Sequence, residues 1–501
     1  MAGGDGTVGA SDASSLTPGG LPGGPARSHG ASPQRGLERV PRSSIQRGRY
    51  GRMFRHLAPL VSSVDALKAL ADSMGPYPAP VPAPTPPPAR AGVPTTAVQP
   101  GENPDIAAGY TYLGQFVDHD ITFDPVSLLG RRNDPDGLVD FRTPRFDLDS
   151  LYGSGPADSP YLYDRQDPVK LLVGRNSDPA FEPEDLPRNQ QGSALVGDPR
   201  NDNHLIISQL TLAFTRFHNA VVDHLRSQSV AAADLFAQAQ QLTRWHYQWV
   251  VVEDYLRGLV GSDVVDEVLV KDDATGGRRA ELSFFRWKTQ PFMPVEFSAA
   301  AFRFGHSQIR ANYQMNPDVD PIHIVLPASA PETMPSLGGL RPLPKGLKIS
   351  WDLFFGIDGS SPQLSRRIDT KVTGPLVQLP PFLDPDQRPL ALLDLLRGQA
   401  LGLPSGEAVA AAMGTAAAAD GAGDNGRTPL WYYLLREAEM AADGRHLGPT
   451  GGRIVAEVLV GLLAADPSSF LRAAPDWTPV LPGAQPGRFD IADLLRFAGV
   501  G

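Results

Sequence analysis

The sequence predicts a mainly α protein with long loops and little sheet. Three observations carry that expectation. Apolar residues recur every three or four positions over several long stretches, which is one face of a helix turned to a core. Strand-like runs are short and scattered, as in "HIVL" at His323 to Leu326. Glycine and proline, 51 and 50 of 501 residues, make about a fifth of the chain, enough for long connections but short of wholesale disorder.

In chain order, residues 1 to 45 are rich in Gly, Ser, Pro and Arg without periodicity and read as a disordered arm. Residues 46–501 then read as one domain. "GRYGRMFRHLAPL" (Gly48 to Leu60) brings aromatics and the start of packed structure, while Gly75 to Asp105 reads as a proline-rich connector of polyproline II character. Four helix faces follow. Leu210, Phe214, Phe217, Val221 and Leu225 form the first. Leu235, Ala239, Leu242, Trp245, Trp249, Val252 and Leu256 form a second, longer one. Phe297, Ala301, Phe302, Phe304, Gly305, His306 and Ile309 form the third. Ile454, Val455, Val458, Leu459 and Leu462 form the fourth, stopped before Pro467.

Composition excludes several chemistries. The net charge is −10 and the pI about 5.5, with no basic block, so nucleic acid is not an expected partner. Cysteine is absent, which removes disulfides, thiolate catalysis, Cys-ligated zinc, iron–sulfur clusters and haem held by a thiolate. The first twenty residues lack a basic region and an apolar core, and no apolar run approaches a membrane span. The expectation is therefore a soluble cytoplasmic protein, with leaderless export left open.

"GQFVDHDITFD" (Gly114 to Asp124) sets Asp118, His119 and Asp120 beside apolar residues. If Leu113 to Phe123 is helical, successive side chains turn by about 100°. Asp118 and Asp120 then point to nearly opposite sides with His119 between them, so the carboxylates do not form one acid/base pair. Gln115, four residues before His119, shares its face. Taken alone, such a cluster is ordinarily a solvated face. Zinc is poorly supported, because no H-x-x-x-H pair with a suitable Glu occurs. "FRTPRFDLDSLYGSG" (Phe141 to Gly155) puts Thr143, Asp147 and Asp149 within seven residues as hard oxygen donors, a set that suits Ca²⁺, although an Asx-type turn is the more ordinary explanation for it when seen alone. It lacks the glycine and terminal Glu of an EF-hand. Arg200 stands in a turn-forming "GDPRND" context before a helix, and His306 in "AFRFGHSQIRANY" faces the core side of its helix. Each of these has an ordinary structural explanation when seen by itself.

Together and in this order, the stretches resemble the animal-type haem peroxidases of the peroxidase–cyclooxygenase superfamily, and its bacterial branch above all. The resemblance runs from about Gly51 to Leu471 and includes "LLDLLRGQALGLPSG" (Leu392 to Gly406), "TPLWYYLLREAE" (Thr428 to Glu439) and "GPTGGRIVAEVLVGLLAADPSSFL" (Gly448 to Leu471). It implies a single helical domain with haem between a distal and a proximal helix. It also implies site roles. His119 is similar to the distal catalytic histidine and Gln115 to its hydrogen-bonding neighbour over the haem. Asp118 corresponds to the carboxylate that can esterify a haem methyl. Asp120, Thr143, Arg145 (through its carbonyl), Asp147 and Asp149 correspond to calcium ligands. Arg200 is similar to the distal arginine, His306 to the proximal iron ligand, and Arg397 to a haem-propionate partner, with Arg303 and Asp394 counted among the haem-binding residues. The cofactors implied are haem b, with at most one ester link through Asp118, and Ca²⁺. The partners implied are hydrogen peroxide and a small reducing substrate.

In the mechanism so implied, His119 accepts a proton from bound peroxide and returns it to the departing oxygen, Arg200 stabilises the charge on the O–O bond, and His306 donates from the opposite face. Three departures from the family pattern bear on it. Asn203 replaces the second ester-forming Glu, and His204 replaces the neighbouring Met of the leukocyte enzymes. Asp394 stands where an Asn usually meets the proximal histidine, so more imidazolate character and a lower iron potential are expected, favouring peroxidase or catalase-like chemistry over halide oxidation. Two other readings stand beside it. A fatty-acid dioxygenase needs a radical tyrosine three residues before the proximal histidine, and that residue is Arg303. A haem-binding scaffold or sensor without turnover is the second.

Overall fold

The computed structural model describes residues 48–76, 100–124, 133–274, 276–325, 336–377, 379, 389–416 and 426–501. The expected N-terminal arm, most of the proline-rich connector and the last residue of "HIVL" lie outside them. The described chain is a helical body with five small sheets of two or three strands.

Its centre is built from long helices with the predicted apolar faces. The Leu205–Ser227 helix buries Leu210, Phe214, Phe217, Val221 and Leu225, the five residues of the first spacing series. The Ala108–Ile121 helix lies against it. Phe116 stacks on Phe214 with ring centroids 4.3 Å apart, and Tyr247 of the Leu235–Trp249 helix meets both rings edge-on. The Pro449–Ala465 helix is apolar almost all round and runs through the core, starting at a Pro in its first turn and ending before Pro467. Among the described residues no helix is long and apolar enough to cross a membrane.

Two predicted helices are not regular. The second series continues past Trp249 as a π-helix, Val250–Leu256. Such widened turns are frequent at functional sites, and this one delivers Tyr255 against Gly114: a Cβ added at Gly114 would lie 2.3 Å from the Tyr255 hydroxyl oxygen. The third series is broken. Val295–Ser298 is one α turn, Ala300 leaves helical geometry at φ −140° and ψ −74°, and Ala301–His306 is a 3₁₀ helix. Three residues per turn rather than 3.6 rotates every later side chain. His306 therefore does not sit on the buried face expected of one continuous helix; it is part-exposed and lines a cavity.

Short strands fix the rims of that cavity. Gly48–Gly51 pairs antiparallel with Val139–Asp140 and parallel with Met293–Pro294, which places Tyr50 on the cavity wall. Glu102–Ala107 pairs antiparallel with Leu364–Arg366 and runs directly into the Ala108–Ile121 helix. The end of the expected connector is thus a strand, because Leu364–Arg366 offers its backbone a partner that the local sequence cannot show.

Candidate active site

One cavity of about 130 Å³ lies between the Ala108–Ile121 helix and the Ala301–His306 turn. Gln115, Asp118 and Arg200 line one side, and Arg303, His306 and Arg397 the other.

The three residues of the DHD motif go three ways, as the helical rotation requires. Asp118 faces the cavity with its side chain 34% exposed. Burial raises its pKa, opposed by Arg200, whose Nη1 lies 3.8 Å from Asp118 Oδ2. Thr122 Oγ1 donates to Asp118 Oδ1 at 2.9 Å. His119 is fully enclosed and does not itself line the cavity. Its Nδ1 lies 2.8 Å from Asn201 Oδ1. An amide oxygen accepts, so Nδ1 carries the hydrogen and Nε2 is the basic nitrogen. Desolvation, followed by the nearby Arg200, lowers the His119 pKa to about 3, so the ring is neutral at pH 7.

Asp120 turns to the other side and meets the loop after Phe141. Carboxylate oxygens of Asp120, Asp147 and Asp149 all lie within 4.8 Å of one another. Leu148, between the last two, takes a left-handed φ of 56°, and its N–H donates to Asp120 Oδ2 at 3.3 Å. Thr143 Oγ1 donates to Asp147 Oδ2 at 2.8 Å, and Arg145 N donates to Thr143 O at 2.8 Å. Burial raises the pKa of all three carboxyls. For Asp120, Asp147 and Asp149 add their repulsion; Asp149 is pushed up to about 7 even though Arg142 opposes it.

Arg200 is held from several directions. Asp198 caps the 3₁₀ turn Pro199–Asp202, accepting from Arg200 N at 2.8 Å and from Arg200 Nη2 at 2.8 Å. Arg200 Nη2 also donates to His119 O at 3.0 Å and Thr122 O at 2.6 Å, at the carbonyl end of the Ala108–Ile121 helix where positive charge is favoured. Its guanidinium carbon stands 4.6 Å from the Phe123 ring centroid. Arg142 binds the same Asp198 at 2.7 Å and reaches Asp149 at 3.4 Å, tying the carboxylate cluster to the Arg200 turn. Burial opposes ionisation of Asp198, but the Arg142 and Arg200 guanidiniums outweigh it and hold its carboxyl well below the usual range.

On the facing wall, Asp394 is fully buried on the Leu390–Ala400 helix. His306 Nδ1 donates to its Oδ2 at 2.5 Å and Arg303 Nη1 to its Oδ1 at 2.7 Å. Burial raises the Asp394 pKa, but these two partners outweigh it and lower it overall. Arg397, one helical turn on, has Nη1 3.6 Å from Asp124 Oδ2. Burial and neighbouring Arg303 lower its pKa.

All the site residues singled out in the sequence are described. Gln115, Asp118, Arg200, Arg303, His306 and Arg397 line the cavity, Asp120, Asp147 and Asp149 form the carboxylate cluster with Thr143 and Arg145 in its loop, and His119 and Asp394 are enclosed and off the cavity lining. Asn203 is not on the cavity wall, and the hydrogen bond of Gln115 at 2.8 Å is to His204 Nε2. Sequence reasoning missed Asn201, Asp198, Arg142, Tyr50 and Tyr255. Asp198 and Asn201 flank Arg200 and were visible only as turn formers. The tyrosines carried no local signal, since strand pairing and the π-helix bring them in.

The fold and several sequence stretches have counterparts. Over 257 residues the chain is 24% identical to human thyroid peroxidase, which is 46% of this chain but 26% of that protein, so it spans about a quarter of the relative's length. Peroxidase A from Dictyostelium discoideum superposes with a TM-score of 0.57 at 14% identity, covering 85% of this chain and 89% of that one. The fatty acid alpha-dioxygenase of Oryza sativa gives a TM-score of 0.50 at 16% identity over 74% and 71%. At such identities the two structures speak for the fold alone. The animal haem peroxidase family model matches residues 127–419, a span that holds Arg200, His306, Asp394 and Arg397 and begins after His119. By that match, over more than half its length, the chain belongs to the animal haem peroxidase family.

Proposed function

We propose that the protein is a haem-dependent peroxidase that reduces hydrogen peroxide and oxidises small organic or inorganic donors. One observation carries the reading: a single cavity has His306, backed by Asp394, on one wall and Arg200 with the His119-bearing helix on the other. The residues fit a haem. Asp394 engages Nδ1 of His306, which leaves Nε2 as the nitrogen that would hold the haem iron. Arg303 and Arg397 supply positive charge for propionates, and Asp118 is the only carboxylate of the DHD motif on the cavity wall. Bound haem would supply the ferric iron at which peroxide is activated and the redox equivalents for the donor.

In this reading the chain's own residues contribute as follows. His119, neutral and with Nδ1–H held by Asn201, takes the peroxide proton at Nε2 and returns it to the leaving oxygen. Arg200, clamped by Asp198 and two helix-end carbonyls, stabilises developing negative charge without reorganising. The Asp120, Asp147 and Asp149 cluster, with Thr143 and the Arg145 carbonyl, would hold Ca²⁺ and thereby fix the rotation of the helix that carries His119. Asp394 as a full carboxylate makes the His306 imidazole more electron-rich, which favours donor oxidation over halide oxidation.

The test is the absorption spectrum of the haem-loaded protein before and after one equivalent of H₂O₂. Rapid bleaching of the ferric Soret band and its return with a phenolic donor are expected. A band indifferent to peroxide would favour a haem scaffold, and the absence of any band would end the haem reading. The fold shared with the rice dioxygenase suggests a second activity, fatty-acid oxygenation. Arg303, ion-paired to Asp394 at 2.7 Å, occupies the position that activity reserves for a tyrosine, so no oxygen uptake with a fatty acid is expected.

A further inference from the structure

Three of the six tryptophans meet at one patch of the surface. Trp245 and Trp249 lie one turn apart on the Leu235–Trp249 helix, and Trp477 packs edge-on against both, at centroid distances of 5.4 Å and 5.9 Å. Trp249 is buried, while Trp245 and Trp477 are half-buried. Packing alone would account for such rings; their link to the cavity and the charges around them point further. The helix runs on without a break into the π-helix Val250–Leu256, whose Tyr255 stands on the cavity wall. Trp249 and Tyr255 are six residues apart in the chain, about 9 Å of helical rise. Val250, Val251 and Val252 between them are fully buried. Such dry, closely packed protein is a medium through which electrons tunnel. Arg278, ion-paired to Glu253, holds its guanidinium carbon 4.6 Å from the Trp249 centroid. A cation over that face makes an electron vacancy costlier there than on Trp245 or Trp477, so a vacancy is driven outward. At the outer end the proton stays in place. Trp245 Nε1 donates to Ser468 O at 2.9 Å, and a carbonyl is not a base. His246, beside Trp477 with centroids 5.1 Å apart, has both nitrogens engaged: Nδ1 donates to Leu242 O at 2.8 Å, and Nε2 accepts from Leu481 N at 3.2 Å. Neither partner takes an indole proton, so an oxidised indole remains a radical cation, its more oxidising form.

We propose that Trp245 and Trp477 form a second oxidation site, at the surface, where aromatic amines too bulky for the cavity give up electrons that reach it through Trp249 and Tyr255. This rests on the peroxidase reading above. A cavity of about 130 Å³ that also takes a haem leaves room for small donors only. The electrons balance. Reducing one H₂O₂ to two waters draws two electrons from the cluster, one at a time, and two protons from solvent. Each vacancy is refilled by one electron from one amine, which leaves as its radical cation.

The experiment uses the haem-loaded full chain as wild type, Trp245→Phe, Trp477→Phe and the double variant. Trp287→Phe, whose ring packs on Phe285 outside the cluster, is the control. Without a donor, one equivalent of H₂O₂ and rapid freezing should yield a protein-radical signal in electron paramagnetic resonance. That signal should narrow when the tryptophans are deuterated, and the double variant should lack it. The donors are a sulfonated anthraquinone dye bearing aryl-amine groups and a small phenol. Each single variant should oxidise the dye about tenfold more slowly, with phenol rates within about twofold of wild type. Trp287→Phe should match wild type throughout. A purely structural cluster would lower the melting temperature and leave the ratio of dye to phenol rates unchanged. That unchanged ratio, a wild-type signal that responds to deuterated tyrosine instead, or no protein radical at all overturns the proposal; the wild-type signal requires no variant to fold. Soret bleaching by peroxide without these signs sinks this inference alone. A Soret band indifferent to peroxide sinks the peroxidase reading and this site with it.

Discussion

Asp394 takes the Arg303 guanidinium on one oxygen and His306 on the other, so its charge is shared between a permanent cation and an imidazole. Replacing it by Asn keeps one acceptor and removes the charge. Asp394→Asn should therefore raise the iron midpoint potential in a spectroelectrochemical titration; an unchanged or lower value would count against the imidazolate argument. On the other side the basic nitrogen belongs to His119, enclosed in the helix that carries Gln115 and Asp118. His119→Ala should bind haem with an unaltered ferric spectrum, but bleach with peroxide about 10²–10⁴ times more slowly in stopped flow. The pH dependence has a definite sign. A base whose pKa is about 3 is deprotonated at every higher pH, so the wild-type rate should stay level above about pH 5 and fall as the pH approaches 3. An acid limb near pH 6.5 would mean that His119 is not desolvated as described.

At the scale of elements, the Ala108–Ile121 helix joins two chemistries through neighbouring residues. Asp118 faces the cavity and Asp120 the carboxylate cluster, so anything that turns the helix moves both. Without a cation, the cluster is a source of repulsion. Asp149 has a folded-state pKa near 7, against about 3.9 for an ordinary Asp. A raised folded pKa means the folded state holds its proton over the interval where the unfolded state has lost it. Its contribution to stability is then complete below about pH 4 and is lost as the pH rises through 7. In EGTA the melting temperature should fall between pH 5.5 and pH 8, and saturating Ca²⁺ should abolish that slope. Identical pH dependence in the two buffers would remove the calcium site. Chelation should also slow peroxide bleaching, since His119 lies next to Asp120 on the same helix.

For the whole molecule, the cavity is a seam rather than a pit in one element. Its walls come from the Gly48–Gly51 strand, the Ala108–Ile121 helix, the π-helix, the Ala301–His306 turn and the Leu390–Ala400 helix. A ligand filling that seam ties together segments separated by hundreds of residues and binds only the folded state. At 100 times its dissociation constant, haem should add about 2.7 kcal/mol to the unfolding free energy, seen as a rise of a few degrees in melting temperature. A melting temperature indifferent to haem would place the cofactor elsewhere or nowhere.

The sequence by itself determined whatever depends on local period. The apolar spacing of Leu210 to Leu225 and of Ile454 to Leu462 yields buried helix faces, because 3.6 residues per turn is a property of the backbone alone. The same rotation sent Asp118 and Asp120 to opposite sides before any fold was considered. The order of the motifs, read as a family resemblance, singled out Gln115, Asp118, Arg200, Arg303, His306 and Arg397, which line one cavity in the structure. Only the tertiary structure decided the rest. Asp394 meets His306 across 88 residues, and Gln115 meets His204 across 89, distances at which loops and packing alone determine who faces whom. The 3₁₀ turn that aims His306 departs from the apolar pattern, and Asp394 meets the ring there from a different helix. Tyr255 reaches Gly114 only because a π-helix widens the chain there. Local periodicity carries no information about such contacts, since each depends on where a second, distant element comes to rest.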